Sequence, residues 1–167
     1  VPAPSESFVH RPAQHPRFVY CGRLSPEKGV SLLLRAFSRF VGDVPHATLG
    51  LVGDGPMRSE IEHEIDALGL SRSVTITGWL SQADVDVELA TAWALVAPSL
   101  WAEPFGISAI EAIMRGIPVV ASDSGGFAEN IESDITGLLF TPRDESSLIS
   151  ALRRVAMRSV FPGGRIE

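Results

Sequence analysis

The sequence is poor in several things that other classes of protein need. It has one cysteine, Cys21, among 167 residues, which excludes an internal disulfide and leaves no zinc cluster. At the end of an apolar run that thiol reads as a small buried hydrophobe, and nothing points to redox chemistry. No apolar run approaches the ~20 residues that span a bilayer, and no basic-then-apolar segment opens the chain. The expected location is cytoplasmic, with no transmembrane segment and with any membrane association of a longer protein peripheral. Lys and Arg number 14 against 20 Asp and Glu, a net charge of -6, and the cations form no block, so nucleic acid is not an expected partner. Any contact to phosphate must be local. His10 and His15 lack a carboxylate or cysteine at ligand spacing, which argues against a metal there.

What is present is ample apolar content, 45%, for one packed core. Residues 1–17, with Pro2, Pro4, Pro12 and Pro16 and no periodicity, read as a linker. Residues 18–158 read as a single domain, and 159–167 as a tail around the break Phe161-Pro-Gly-Gly164. Strands are expected at Phe18–Cys21, His46–Val52, Val74–Thr77, Ala94–Ala97, Ile117–Ala121 and Thr136–Phe140. Helices are expected from about Glu27 to Val41, Pro56 to Leu68, Ser81 to Leu89 and Ile107 to Arg115, then after Gly125-Gly126, and from an Asp144 cap through Val155. This alternation predicts an α/β fold: a Rossmann-like, doubly wound parallel sheet of about six strands with helices on both faces. Ligands of such sheets bind beyond the carboxyl ends of the strands, at the switch in strand order.

The candidate motifs follow those strand ends. In Pro98-Ser-Leu-Trp-Ala-Glu-Pro-Phe-Gly-Ile-Ser-Ala-Ile-Glu111, Glu103 lies past a strand, Pro104 extends the chain, and Gly106 admits a ligand close to the backbone. The free N–H groups of Phe105, Gly106 and Ile107 at the helix start favour an anion such as phosphate. Glu111 is a carboxylate on an apolar helix; by spacing, Ser108, Glu111 and Arg115 make one polar face with a Glu111–Arg115 pair four apart. In Gly22-Arg-Leu-Ser-Pro-Glu-Lys-Gly29, Arg23 and Lys28 either pair with a diphosphate or are solvated cations beside Glu27 or Glu60. Gly53-Asp-Gly-Pro56 is either a nucleotide-approach loop through Gly53 and Gly55 or a plain tight turn. The G-x-G-x-x-G fingerprint is absent, because Ser59 stands where its last glycine belongs. Gly78-Trp79-Leu80 leaves the third strand. Asp84-Val-Asp86 imitates a metal-binding pair but falls in a helical stretch, so it reads as a solvated face and no metal is assigned. Glu129, after Gly125-Gly126, either orients that loop or is an exposed helical acid.

Two of these segments carry a resemblance. Glu103-Pro-Phe-Gly-Ile-Ser-Ala-Ile-Glu111 resembles the Glu-x7-Glu signature of the retaining group 1 (family 4) glycosyltransferases, and Gly22-Arg through Lys28-Gly29 resembles their Gly-Arg-x-x-x-x-Lys-Gly segment. The likeness runs from Phe18 to Val155 and implies the C-terminal donor-binding domain of a GT-B fold. It further implies that Arg23 and Lys28 hold a donor diphosphate at the helix start of Phe105, Gly106 and Ile107. Glu103 would take the sugar hydroxyls, completing a catalytic set with Arg23 and Lys28, and Glu111 the ribose hydroxyls. Gly53, Gly55 and Gly78 would lie against the nucleotide. The implied reaction is hexosyl transfer with retention from a UDP-, GDP- or ADP-sugar, without cofactor or metal, to a glycan, lipid or small-molecule acceptor. Family members carry an N-terminal acceptor domain that this chain lacks, so the expectation is donor binding without transfer. Two alternatives stand beside it: a non-catalytic nucleotide-binding or regulatory module, and half of a non-hydrolysing sugar-nucleotide epimerase. The epimerase shares the architecture but is not expected to show both motifs.

Overall fold

A strand with helices on both of its faces is buried on both, so its sequence is apolar throughout rather than alternating. That is the state of β4 (Ala94–Ala97) and β5 (Val119–Ser122), every residue of which is buried. The computed structural model describes residues 8–157. The expected tail and its Phe161–Gly164 break lie outside the described residues. The remaining strands are β1 (Arg17–Cys21), β2 (Thr48–Val52), β3 (Val74–Gly78) and β6 (Gly137–Phe140). They form one sheet in the order β3-β2-β1-β4-β5-β6, and all five neighbouring pairs are parallel.

Successive side chains of a strand point to opposite faces, and this divides the core in two. Phe18 and Tyr20 of β1, with Ala94 and Val96 of β4, face α1 (Val30–Asp43) and α6 (Glu145–Ala156), with α2 (Arg58–Ala67) beside them. Phe37 and Phe40 of α1 are fully buried there, and the Phe40 ring meets Phe18 edge-on at 5.5 Å. Each such ring contributes roughly 1.5–3 kcal/mol by leaving water. Val19 of β1, with Leu95 and Ala97 of β4, faces α3 (Gln82–Ala90), α4 (Ile107–Met114) and the short α5 (Gly126–Asn130). The small Ala109 and Ala112 let α4 sit close on the sheet.

The boundaries depart from expectation where a single residue intervenes. The first helix begins at Val30 rather than near Glu27, because Pro26–Lys28 is a 3-10 turn closed by Gly29 at φ 71. A side chain on Gly29 would lie 2.0 Å from the Pro98 carbonyl, so that glycine also seats the first motif on the second. β5 begins at Val119 rather than Ile117, since Pro118 has no N–H for the ladder. The segment expected to be a linker is docked over residues 8–16. Arg11 and Ala13 donate backbone N–H bonds to Ala90 and Thr91 at 2.8 and 3.0 Å, His10 bonds the Ala92 carbonyl, and Trp93 bonds that of Ala13.

Asp86 overturns the solvated-face reading of Asp84-Val-Asp86. It is buried, and its carboxylate takes Arg115 at 2.8 Å, while Asp84 is exposed and capped by Ser81. The Glu111–Arg115 side-chain pair expected from spacing is replaced by this contact. Arg115 bonds the Glu111 carbonyl at 2.9 Å instead, because its side chain is fully buried and turns toward α3. A charge that leaves water needs a charged partner in the same place.

Candidate functional site

The strand order reverses between β1 and β4, so the loops leaving these two strands part and open a cleft. Its volume is about 440 Å³. Arg23 and Lys28 from the loop after β1 line it, as do Glu103, Phe105, Gly106 and Ile107 from the loop after β4. Six of the ten candidate residues are thereby brought to one place, from two segments 75 positions apart.

Glu103 is the most constrained of them. It is 9% exposed, and its Oε1 accepts from Lys28 Nζ at 2.6 Å and from Ser99 Oγ at 2.7 Å. Burial pushes its carboxyl up, but hydrogen bonds from Lys28, Ser99 and Trp101 outweigh that and hold it below the ordinary glutamate range. Glu103 is thus an anion. Lys28 does not pair with Glu27 or Glu60, the partners open to it from sequence. Its ammonium also lies 5.6 Å from the Trp101 ring centroid. Glu27 is taken by Ser25, whose hydroxyl donates at 2.6 Å; that bond lowers its pKa, and it leaves Ser25 without a side-chain cap.

Arg23 is exposed and makes no ion pair among the described residues. Its backbone is fixed, because Tyr20 Oη donates to the Arg23 carbonyl at 2.7 Å. Burial raises the Tyr20 pKa, so the hydroxyl stays a donor. Cys21 also lines the cleft, half-buried rather than enclosed as expected. Burial, and then the negative charge of Glu111, push its thiol up to about 12. That places Glu111, itself half-buried on α4, near the end of β1, though outside the cleft lining.

Gly53, Gly55 and Gly78 do not line the cleft. They knit the loops of the first three strands together. Gly53 N–H donates to Gly78 at 3.0 Å, Leu24 N–H to Asp54 at 2.9 Å, and Met57 N–H to Leu24 at 3.0 Å. A side chain on Gly53 would lie 1.9 Å from the Gly22 carbonyl, so loop packing alone requires a glycine there. Glu129 is exposed on α5, and the residue that holds the neighbouring loop is Asn130, whose Nδ2 donates to the Phe105 carbonyl at 2.9 Å. Asn130, Ser99 and Ser122 were not singled out from sequence. Nothing in their spacing distinguishes them from ordinary turn residues.

A six-stranded parallel sheet with helices on both faces and a charged cleft at its switch point defines a Rossmann-like α/β domain. The chain belongs to the family described as glycosyl transferases group 1, whose model matches residues 5–157. It is 34% identical over 148 residues to the glycogen synthase of Mycobacterium tuberculosis (strain ATCC 25618 / H37Rv), covering 88% of this chain and 36% of the synthase. Among solved structures it resembles the lipopolysaccharide outer core galactosyltransferase WaaB in its apo form. That match has a TM-score of 0.83 and 27% identity, over 93% of this chain and 44% of WaaB. It also resembles Anabaena Alr3699/HepE in complex with UDP, with a TM-score of 0.79 and 30% identity over 87% of this chain and 40% of that one. The fold is that of a GT-B glycosyltransferase C-terminal domain. The chain spans less than half the length of these relatives. Among the described residues no helix is long and apolar enough to cross a membrane.

Proposed function

We propose that this chain is the donor-binding half of a retaining glycosyltransferase that moves a hexosyl group from a nucleoside-diphosphate sugar. The observation that carries this is the switch-point cleft, which Arg23, Lys28, the start of α4 and the anionic Glu103 line together, with Lys28 paired to Glu103. The cations and the helix start supply fixed positive potential for a departing diphosphate, so no metal is needed for that charge. Lys28 has three donors and can keep Glu103 while reaching a phosphate oxygen. Glu103 accepts from sugar hydroxyls, and Glu111 from those of the ribose. Structures of Alr3699/HepE are described with UDP and with UDP-glucose, which supports this class of ligand. Phe105 is 70% exposed and Trp79 69% exposed on the same edge of the sheet, which fits a face covered by an acceptor domain. Transfer needs that second half, because orienting two substrates can be worth about 7–11 kcal/mol and an open half-site loses it.

The test is calorimetry with UDP, GDP and ADP and their hexose conjugates, with and without chelator. Binding of one base series is expected, unaffected by chelator. Glu111→Gln should weaken nucleotide and sugar nucleotide alike, whereas Glu103→Gln should weaken mainly the sugar nucleotide. If no nucleotide binds, or if Glu103→Gln affects both ligands equally, these assignments are wrong.

A further inference from the structure

The loop that carries Glu103 is held along one side by the connection from β5 to α5, at alternate residues. Ser122 Oγ donates to the Ser99 carbonyl at 2.9 Å, and Ser124 Oγ reaches that of Trp101 at 3.4 Å. Gly126 N–H donates to the Glu103 carbonyl at 2.6 Å, and Asn130 Nδ2 to that of Phe105 at 2.9 Å. A spacing of two residues is that of an extended strand. The loop is thereby tied at every second carbonyl to the β5–α5 connection, by side-chain donors at three of the four positions and a backbone N–H at the other.

Asn130 stands apart in this row. It is exposed, at the last position of α5, and its bond crosses 25 residues of chain, so it contributes little to the core. Its acceptor explains what it does. A trans peptide is planar, with the carbonyl and the following N–H on opposite sides. Fixing the Phe105 carbonyl toward Asn130 fixes the Gly106 N–H away from it. Gly106 lines the cleft, and among the described residues its N–H has no protein partner.

We propose that Asn130 is a positioning residue of this cleft, which through the Phe105 carbonyl aims the Gly106 amide at the diphosphate of a bound nucleotide. The inference rests on the donor-site reading above. It adds a residue outside both sequence motifs, acting through the backbone rather than by touching the ligand.

The experiment compares the wild-type chain with Asn130→Leu, which keeps the volume and removes the donor without adding charge, and with Asn130→Gln, which retains an amide. The probes are the backbone amide resonance of Gly106 in a nitrogen-labelled sample and the affinity for UDP. The Gly106 resonance should shift in Asn130→Leu and stay near its wild-type position in Asn130→Gln. UDP should bind Asn130→Leu roughly two- to tenfold more weakly, the equivalent of one ordinary hydrogen bond, with an unchanged thermal midpoint. An unmoved Gly106 resonance in Asn130→Leu overturns the positioning, and a shift with undiminished UDP affinity overturns its role in binding. Failure of the wild-type chain to bind UDP, GDP and ADP alike counts against the donor-site reading, binding of GDP or ADP alone moves the affinity comparison to that nucleotide, and the Gly106 shift without ligand still decides whether Asn130 sets that peptide.

Discussion

Replacing Lys28 by methionine tests the electrostatics of the cleft without any ligand. The substitution keeps the apolar stem and deletes the ammonium, which lies 2.6 Å from Glu103 Oε1. Glu103 is left with hydrogen bonds from Ser99 and Trp101 and only an 11% exposed side chain. Removing one partner of a fully buried pair costs about 3–5 kcal/mol, and of an exposed pair about 0–1 kcal/mol. The Lys28 side chain is 26% exposed, so the pair lies between these limits, and a loss of about 2 kcal/mol is expected at pH 7. For a domain of this size that is a fall of about 4–8 °C in the thermal midpoint. The pH dependence supplies the signature. A carboxyl held below its unfolded value adds stability that is present above that value, roughly 4.3, and is lost as pH falls through the folded one. Wild type and Lys28→Met should therefore differ most near neutrality and converge once Glu103 is protonated in both. Urea titrations at pH 7 and at pH 3 measure this. A difference below about 0.5 kcal/mol at neutral pH, or one that persists undiminished in acid, would refute the account of the pair.

Two further perturbations follow from buried groups. Asp86→Ala strands the Arg115 guanidinium, whose side chain has no solvent exposure, so urea unfolding should show a loss of about 3–5 kcal/mol; a loss under 1 kcal/mol would mean that Arg115 does not depend on Asp86. Cys21, with its thiol pushed up to about 12, should react with a disulfide reagent at pH 8 more than about tenfold more slowly in the folded chain than in denaturant, the scarcity of thiolate outweighing its greater nucleophilicity. Labelling of native protein within tenfold of the unfolded rate would count against that environment.

The strands were legible because a doubly covered parallel sheet writes itself as uninterrupted apolar runs, and Ala94–Ala97 appears with the same bounds in sequence and structure. The two motifs stood out because they set charges at strand ends, where packing does not require them. What could not be read was pairing across distance. Asp86 and Arg115 are separated by 29 positions, and each had a nearer candidate, solvent for one and Glu111 for the other. Lys28 likewise had acidic neighbours along the chain, and only the approach of β1 to β4 selects Glu103. The docked segment before β1 has no periodicity to read, since it is held by isolated backbone and side-chain hydrogen bonds to residues 90–93. Gly53 was legible as a glycine but not in its cause, which is the Gly22 carbonyl beside it.

The order β3-β2-β1-β4-β5-β6 also makes the sheet two three-stranded lobes that meet along one seam. That seam has the shortest ladder of the five. β1 and β4 are in register only at Phe18 with Ala94 and Val19 with Leu95, whereas β1 and β2 match at five positions. Closing it brings together residues some 75 apart, the kind of contact that pays its chain entropy late in folding. Lys28 on one lobe and Glu103 on the other form a clasp across this line. A ligand gripped by Arg23 on one side and by Phe105 and Gly106 on the other would be a second clasp, so occupancy of the cleft should slow the parting of the lobes more than the fraying of either outer edge.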